Sequence, residues 1–255
     1  MKFQLLPITD VMIELYQTPL NTDRFTNYMK ILQGNIPGDI SIPVTFFNPM
    51  GKEHVLNKLK QLRDLKAEQL IEETLMYINS TTAATSSKVI NVALALADDL
   101  GGSWTNRYTT DYDSKFNMDD LMKRNFCNPL FWVSEEYSKE KIKERIADYC
   151  YRSFYRLTFA QPVTIEQHVE QEIFVAENNP FSIEIQPLTD FNKINHYYQH
   201  YKTMNSFPAV FNFMYGDAAC KELGMSVYGI PDAWTGYKYA AYIAVNRKEL
   251  QKATH

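Results

Sequence analysis

Apolar residues recur at spacings of three and four over much of this chain, which predicts mostly amphipathic helices. Several predicted helices carry start and stop signals. Thr9-Asp10 and Thr22-Asp23 precede apolar runs, and Gly34 follows the second run as a natural stop. Ser138 is a cap for a helix reaching about Phe159, and Thr164 with Gln167 forms a capping box for a helix ending near Asn178. The same spacing predicts helices over residues 52–79, 189–202, 208–223 and 237–252, and a short one after Asn117.

Other segments alternate or are apolar without helical spacing, and these predict a few strands. Ile40, Ile42, Val44 and Phe46 alternate within residues 35–49. Further strands are predicted over residues 129–134, 181–186 and 225–228. Residues 86–100 are nearly all apolar and precede Gly101-Gly102, which predicts a buried central helix with a glycine cap. A buried strand is the alternative there, because a short apolar run does not distinguish the two by period.

Composition supports a mostly α protein with a minor β component, of the α+β class. The 255 residues are 45% hydrophobic and 14% aromatic with only 9 glycines, which favours packed helices over a turn-rich sandwich or barrel. Neither a repeat, a low-complexity linker nor a compositional break divides the chain. We therefore expect a single compact helical domain, residues 1–255, with a few short strands.

Charge and targeting signals limit the classes of partner. A net charge of −4 argues against nucleic acid and against an anionic membrane surface. The apolar run at the amino terminus breaks at Pro7, too soon for a signal peptide, and no run reaches membrane-spanning length. We expect a cytoplasmic protein whose 3 cysteines, Cys127, Cys150 and Cys220, are buried free thiols.

The segment from Asp98 to Asp113 is the first candidate site. Asp98 and Asp99 follow the apolar run, where paired carboxylates could hold a hard cation or supply a general base. On a helix they would diverge by about 100°, which weakens a dyad, and the carboxyl end of a helix disfavours a further anion. Arg107 could clamp an anion. Ligand contacts are expected from Trp104, Arg107, Tyr108 and Asp111.

That segment also has a purely structural interpretation. In it, the acids pair with Arg107 and Lys115, and Trp104 fills a gap in the core. Most ion pairs in proteins serve stability in this way.

His168 and Glu172 are the second candidate site. Glu172 lies at the edge of the apolar stripe formed by Ile165, Val169 and Ile173, and His168 precedes it by one turn. A carboxylate at such an edge needs a partner, so the two residues could form an acid–base pair. The alternative is a buried glutamate bonded to a tyrosine, an arginine or a backbone group.

Two further patterns favour solvent-facing interpretations. His196 and His200 have the spacing of a metal-binding pair, but they lie opposite the apolar stripe of their helix and lack a third ligand. Arg145, Arg152 and Arg156 form one stripe, which we interpret as a solvated face. We therefore predict no metal site, and the residues indicate no particular cofactor.

Nucleophile and phosphate-loop motifs are absent from the sequence, so no reaction can be assigned from motifs. The leading hypothesis is an enzyme or a protein that binds a small, anionic ligand near residues 98–113. Its catalytic candidates are Asp98, Asp99, His168 and Glu172. The alternative is a non-catalytic interaction or homo-oligomer module whose surface is formed by aromatic residues within 207–215 and 234–242.

Overall fold

The computed structural model describes residues 1–82, 87–100, 105–182 and 187–253, with side chains described up to residue 250. Helices account for most of this chain and short parallel strands for a small part, which confirms the predicted fold class. No helix in the described ranges is long and apolar enough to cross a membrane. The chain groups into two compact units, Met1–Cys150 (unit 1) and Tyr151–His255 (unit 2). The single domain expected from composition stays a prediction.

Unit 1 combines short parallel strands with surrounding helices. Its strands are β1 (Lys2–Leu5), β2 (Val89–Val92), β3 (Ala95–Ala97), β4 (Phe126–Cys127) and β5 (Leu130–Trp132). Its helices are α1 (Thr9–Gln17), α2 (Thr22–Gln33), α3 (Glu53–Asp64), α4 (Ala67–Thr81), α5 (Arg107–Phe116), α6 (Asp119–Lys123) and the part of α7 (Lys139–Thr158) up to Cys150. Helix α4 packs against β1, and α3 packs against α1.

Parallel pairing sets the geometry of unit 1. Strand β2 lies between β1 and β4, and β3 pairs with β5 so that Ala97 is opposite Trp132. Every residue of β3 and β5 is buried, as expected for parallel strands covered on both faces. The carboxyl ends of β3 and β5 therefore reach the same edge of the sheet.

The predicted central helix over residues 86–100 is wrong, and the strand alternative holds for the described residues 87–100. This run forms β2 and β3, separated by Ala93 and Leu94. Val89, Ile90 and Val92 are β-branched and suit a strand, and a parallel sheet buries such a continuous apolar run on both faces. Residues 101 and 102, the predicted glycine cap, lie outside the described residues.

Two more predictions in unit 1 are corrected. The single helix over residues 52–79 divides into α3 and α4 at Lys66, whose φ of 57° is left-handed. The two helices pack on different partners, so their apolar stripes need not share one axis. Residues 35–49 form turns and bends instead of a strand, because prolines such as Pro37 and Pro43 interrupt any ladder.

Unit 2 is helical in its described part. It contains the remainder of α7, α8 (Ile165–Asn178), α9 (Phe191–Tyr201), α10 (Phe207–Glu222) and α11 (Thr235–Ala253). Helix α8 packs along α11 and also contacts α9 and α10. The Thr164 and Gln167 capping box predicted for α8 is present, with the Thr164 side chain accepting from the Gln167 backbone.

A kink in α10 explains one missing strand of unit 2. Gly216 has a φ of 83°, and a Cβ at this position would lie 2.2 Å from the carbonyl oxygen of Asp232. At the kink the Asp217 amide donates to the Ile230 carbonyl and the Asp217 carboxylate accepts from the Tyr228 amide. Residues 225–228 are thus a loop tied to the kink, not the predicted strand. Of the strand predicted over residues 181–186, residues 183–186 lie outside the described residues.

Candidate functional site

The carboxyl ends of β3 and β5 bring polar residues from two distant segments to one edge of the sheet. Asp98 and Asp99 directly follow β3, while Ser134 and Glu135 follow β5 after a single intervening residue. Ligands of open parallel sheets bind at this edge. We call the group formed by His54, Asp98, Asp99, Arg107, Ser134 and Glu135 the edge cluster.

Asp98 pairs with a histidine that the sequence did not single out. The Nε2 atom of His54, in the first turn of α3, lies 2.9 Å from Oδ2 of Asp98. The histidine side chain is 33% exposed, whereas that of Asp98 is 5% exposed. A buried carboxylate therefore holds one edge of an imidazole ring that is partly open to solvent.

Asp99 has different partners from its neighbour. Its Oδ2 accepts from Arg107 Nη1 at 2.8 Å and from the Ser134 hydroxyl at 2.5 Å, and its Oδ1 accepts from the Ser134 amide at 2.9 Å. The divergence of Asp98 and Asp99 is that of successive residues on an extended chain. The expected penalty of a helix carboxyl end does not arise, because no helix ends there.

Glu135 completes the edge cluster by joining two arginines. One carboxylate oxygen accepts from Arg107 Nη2 and the other from Arg145 Nη2 at 2.7 Å, with Lys141 Nζ at 3.4 Å. Burial alone would raise the pKa of Glu135, but Arg145, Lys141 and Arg107 outweigh it and hold this pKa at about 2. Glu135 is thus ionised at neutral pH and occupies the second side of the Arg107 fork.

The remaining residues of the predicted 98–113 site lie mostly on α5. Asn106 caps this helix by accepting from the amides of Tyr108 and Thr109. Asp111 is buried and pairs with Lys115 at 2.8 Å, as the structural interpretation expected. Trp104 lies outside the described residues. Arg107 instead stacks 5.0 Å from the centre of the Trp132 ring, a cation–π contact.

Glu172 of unit 2 forms a buried ion pair with Arg152. Arg152 Nε donates to Oε1 at 2.7 Å and Nη2 to Oε2 at 2.5 Å, a bidentate arrangement. The two side chains are 2% and 4% exposed. The Gln171 side chain adds a third donor to the Glu172 carboxylate at 3.2 Å. This geometry matches the alternative in which a buried glutamate is bonded to an arginine.

His168 is also buried, and its Nδ1 lies 2.8 Å from the carbonyl oxygen of Thr164. Burial lowers the pKa of His168, so the neutral ring donates from Nδ1 to this carbonyl. His168 and Glu172 belong to unit 2, whereas Asp98 and Asp99 belong to unit 1. The catalytic roles predicted for these residues, and the joint site that combines them, stay predictions.

Other patterns in the sequence have mixed outcomes. His196 and His200 are exposed, as predicted, and with Tyr197, Tyr201 and Tyr228 they border a cavity of about 370 Å³ in unit 2. Among the described residues, no group of three or more His, Cys, Asp or Glu side chains could hold a metal ion. The arginine stripe is not a solvated face, because Arg145 and Arg152 are largely buried in ion pairs.

The three cysteines are buried and free, as predicted. Within unit 2, Phe211, Phe213 and Tyr215 of α10 are fully buried. An interaction surface of the alternative type would need exposed rings such as Phe207 and Tyr242, which are 43% and 42% exposed. That alternative stays a prediction.

The chain matches no protein-family model, and no curated protein or solved structure is significantly similar to it. Its function is therefore argued from the geometry of its own residues.

Proposed function

We propose that unit 1 binds a small molecule at the carboxyl edge of β3 and β5, with His54 as an acid–base group held in place by Asp98. The observation that carries this proposal is the contact of 2.9 Å between His54 Nε2 and the buried Asp98 carboxylate. A general base must lie within reach of its substrate, and a partly exposed ring meets that condition.

The orientation of the imidazole supports an acid–base role. Because the Asp98 carboxylate faces Nε2, it favours the tautomer that carries the proton on Nε2. Nδ1 then has a free lone pair, and no described residue hydrogen-bonds to it. This nitrogen can accept a proton or hydrogen bond from a bound molecule.

The rest of the edge cluster supports His54 indirectly. Arg107 directs one terminal nitrogen at Asp99 and the other at Glu135, so the protein's own carboxylates occupy its fork. We therefore assign Arg107 a positioning role between the segments after β3 and β5, in place of the anion clamp expected from the sequence. Rigid support of this kind keeps a binding residue in one geometry.

A thermal-shift screen against divalent metals, nucleotides and small organic acids tests the proposal. A compound at a hundredfold its Kd stabilises the protein by about 2.7 kcal/mol. We expect at least one compound to do so, and we expect His54→Gln to abolish that shift. His196→Gln, which alters an exposed histidine in unit 2, is the matched control and should leave it unchanged.

Two outcomes contradict the proposal. One is a screen in which no compound shifts the wild-type protein. The other is a set of shifts that His54→Gln and His196→Gln both retain in full.

A further inference from the structure

A cavity of about 360 Å³ lies beside the edge cluster in unit 1 and contains a buried lysine. Its apolar wall is formed by Leu62, Leu65 and the ring of Tyr137, and Lys58 lines the same space. This volume is near the lower end of the range for small-molecule pockets. The cavity thus suits a small ligand with an apolar part.

The Lys58 ammonium is under-compensated for its burial. Its side chain is 7% exposed, and Nζ donates to the Glu135 carbonyl at 2.7 Å and to Glu136 Oε1 at 3.2 Å. An ammonium has three donors, and no described residue accepts the third. Buried charges normally have full partners, so this donor indicates a missing acceptor.

The only carboxylate paired with Lys58 among the described residues is easily displaced. The Glu136 side chain is 91% exposed, and exposed ion pairs contribute about 0 to 1 kcal/mol. Its carboxylate can leave Lys58 for solvent at little cost. Glu136 therefore marks the position where another carboxylate could bind.

We propose that this cavity binds a small organic monocarboxylate, whose carboxylate replaces that of Glu136 on Lys58 and whose apolar part lies against Leu62 and Leu65. The inference rests on the proposed function, since it names the ligand class of the same edge of unit 1. His54 and Lys58 are four residues apart on α3, so they share one helix face, about 5 to 6 Å apart at Cβ. A ligand anchored at Lys58 extends toward His54 along that face.

Local charge favours a monoanion over a phosphate. Asp64 and Glu136 both border the cavity, and a dianion would meet more repulsion from them than a single carboxylate. Arg107 and Arg145 already bind Glu135 and Asp99. Lys58 is thus the cation with a donor to spare at this edge within the described residues.

The test compares hexanoate and benzoate with hexanamide and benzamide, each measured by titration calorimetry on the full chain. Wild type should bind each acid more tightly than its amide. A charge-assisted hydrogen bond corresponds to about 10- to 100-fold in affinity, so Lys58→Met should weaken the acids by that factor and leave the amides unchanged. Lys60→Met on the same helix is the control and should change neither series, because it lies about 200° around α3 from Lys58.

Glu136→Gln gives a prediction of opposite sign with little risk to folding, because the side chain is exposed. Removing the competing carboxylate should tighten acid binding up to about 5-fold. Inorganic phosphate should bind more weakly than benzoate in every variant.

The outcomes separate this inference from the proposed function. If ligands bind and depend on His54, but acids and amides bind alike or Lys58→Met keeps the preference, the carboxylate assignment is overturned and the proposed function stands. Tighter binding of phosphate overturns the assignment as well. Binding by neither series also overturns it, and the wider screen with His54→Gln then decides the proposed function separately.

Discussion

Unit 1 and unit 2 each contain a buried carboxylate with a cationic or titratable partner, but the two pairs differ in access to solvent. In unit 2, Arg152 and Glu172 are both almost completely buried and satisfy each other bidentately. In unit 1, Asp98 is buried, whereas its partner His54 is one-third exposed and keeps one ring nitrogen without a partner in the described chain. One pair is closed, and the other has a group left to use.

This difference separates a stabilising ion pair from a candidate functional one. A closed pair cannot bind a substrate without losing its own contacts, so its contribution is to the folded state. An open pair can bind a further molecule while its internal contact persists. The presence of a carboxylate and a basic residue at a suitable spacing is therefore a weaker indicator of function than a remaining donor or acceptor.

The largest expected effect is on the closed pair of unit 2. Glu172→Gln leaves the Arg152 guanidinium buried without a counter-charge, which should lower the free energy of unfolding by about 3 to 5 kcal/mol. Urea denaturation at neutral pH measures this change. Glu170→Gln is the matched control on the same helix, because Glu170 and its partner Arg247 are both 43% exposed, and it should cost less than about 1 kcal/mol.

A double replacement tests whether the cost comes from the unpaired charge. Arg152→Met with Glu172→Leu removes both charges and should return stability to within about 1 kcal/mol of wild type. A loss equal to that of Glu172→Gln alone would mean that shape, and not charge, sets the cost.

The next effect concerns Glu135 and acid stability. Its pKa falls from 4.5 to about 2 on folding, a shift equivalent to about 3 kcal/mol. Because the folded value is the lower one, this stabilisation is fully present above pH 4.5 and is lost as pH falls toward 2. Glu135→Gln should therefore be less stable than wild type by about 3 kcal/mol at pH 6, and the difference should shrink through this window.

Thermal unfolding of both proteins at several pH values between about 6 and 2.5 measures that difference. Exposed Glu136→Gln is the control and should show a small difference at each pH. A gap between wild type and Glu135→Gln that does not change with pH would contradict the assigned charge interactions.

The sequence predicts the helices of this protein better than its strands for a physical reason. Helix signals are local: Thr164 and Gln167 cap α8 through contacts within one turn. Parallel strands depend on partners far along the chain, as Val89 opposite Lys2 illustrates. The apolar run that became β2 and β3 carries no period that distinguishes a buried strand from a buried helix.

The candidate site is predicted from sequence only where its residues are consecutive. Asp98, Asp99 and Arg107 stand out because polar groups follow an apolar run, and the structure brings Asp99 and Arg107 together. His54 lies 44 residues before Asp98 and resembles any polar residue at the start of a helix. The usable signal for Glu135 was its place after a predicted strand, because polar residues that follow parallel strands gather at one edge.

The smallest expected effect, on the open pair of unit 1, bears most directly on function. His54→Gln retains an amide that can donate to Asp98, so it should change the free energy of unfolding by less than about 1 kcal/mol, whereas His54→Ala removes the donor and should cost about 1 to 2 kcal/mol. Urea denaturation of both variants beside Glu172→Gln measures the contrast between the two pairs. A loss in His54→Gln as large as that in Glu172→Gln would make His54 a structural residue. A small loss together with abolished ligand binding is the combination expected of a group that the fold holds in place for a ligand.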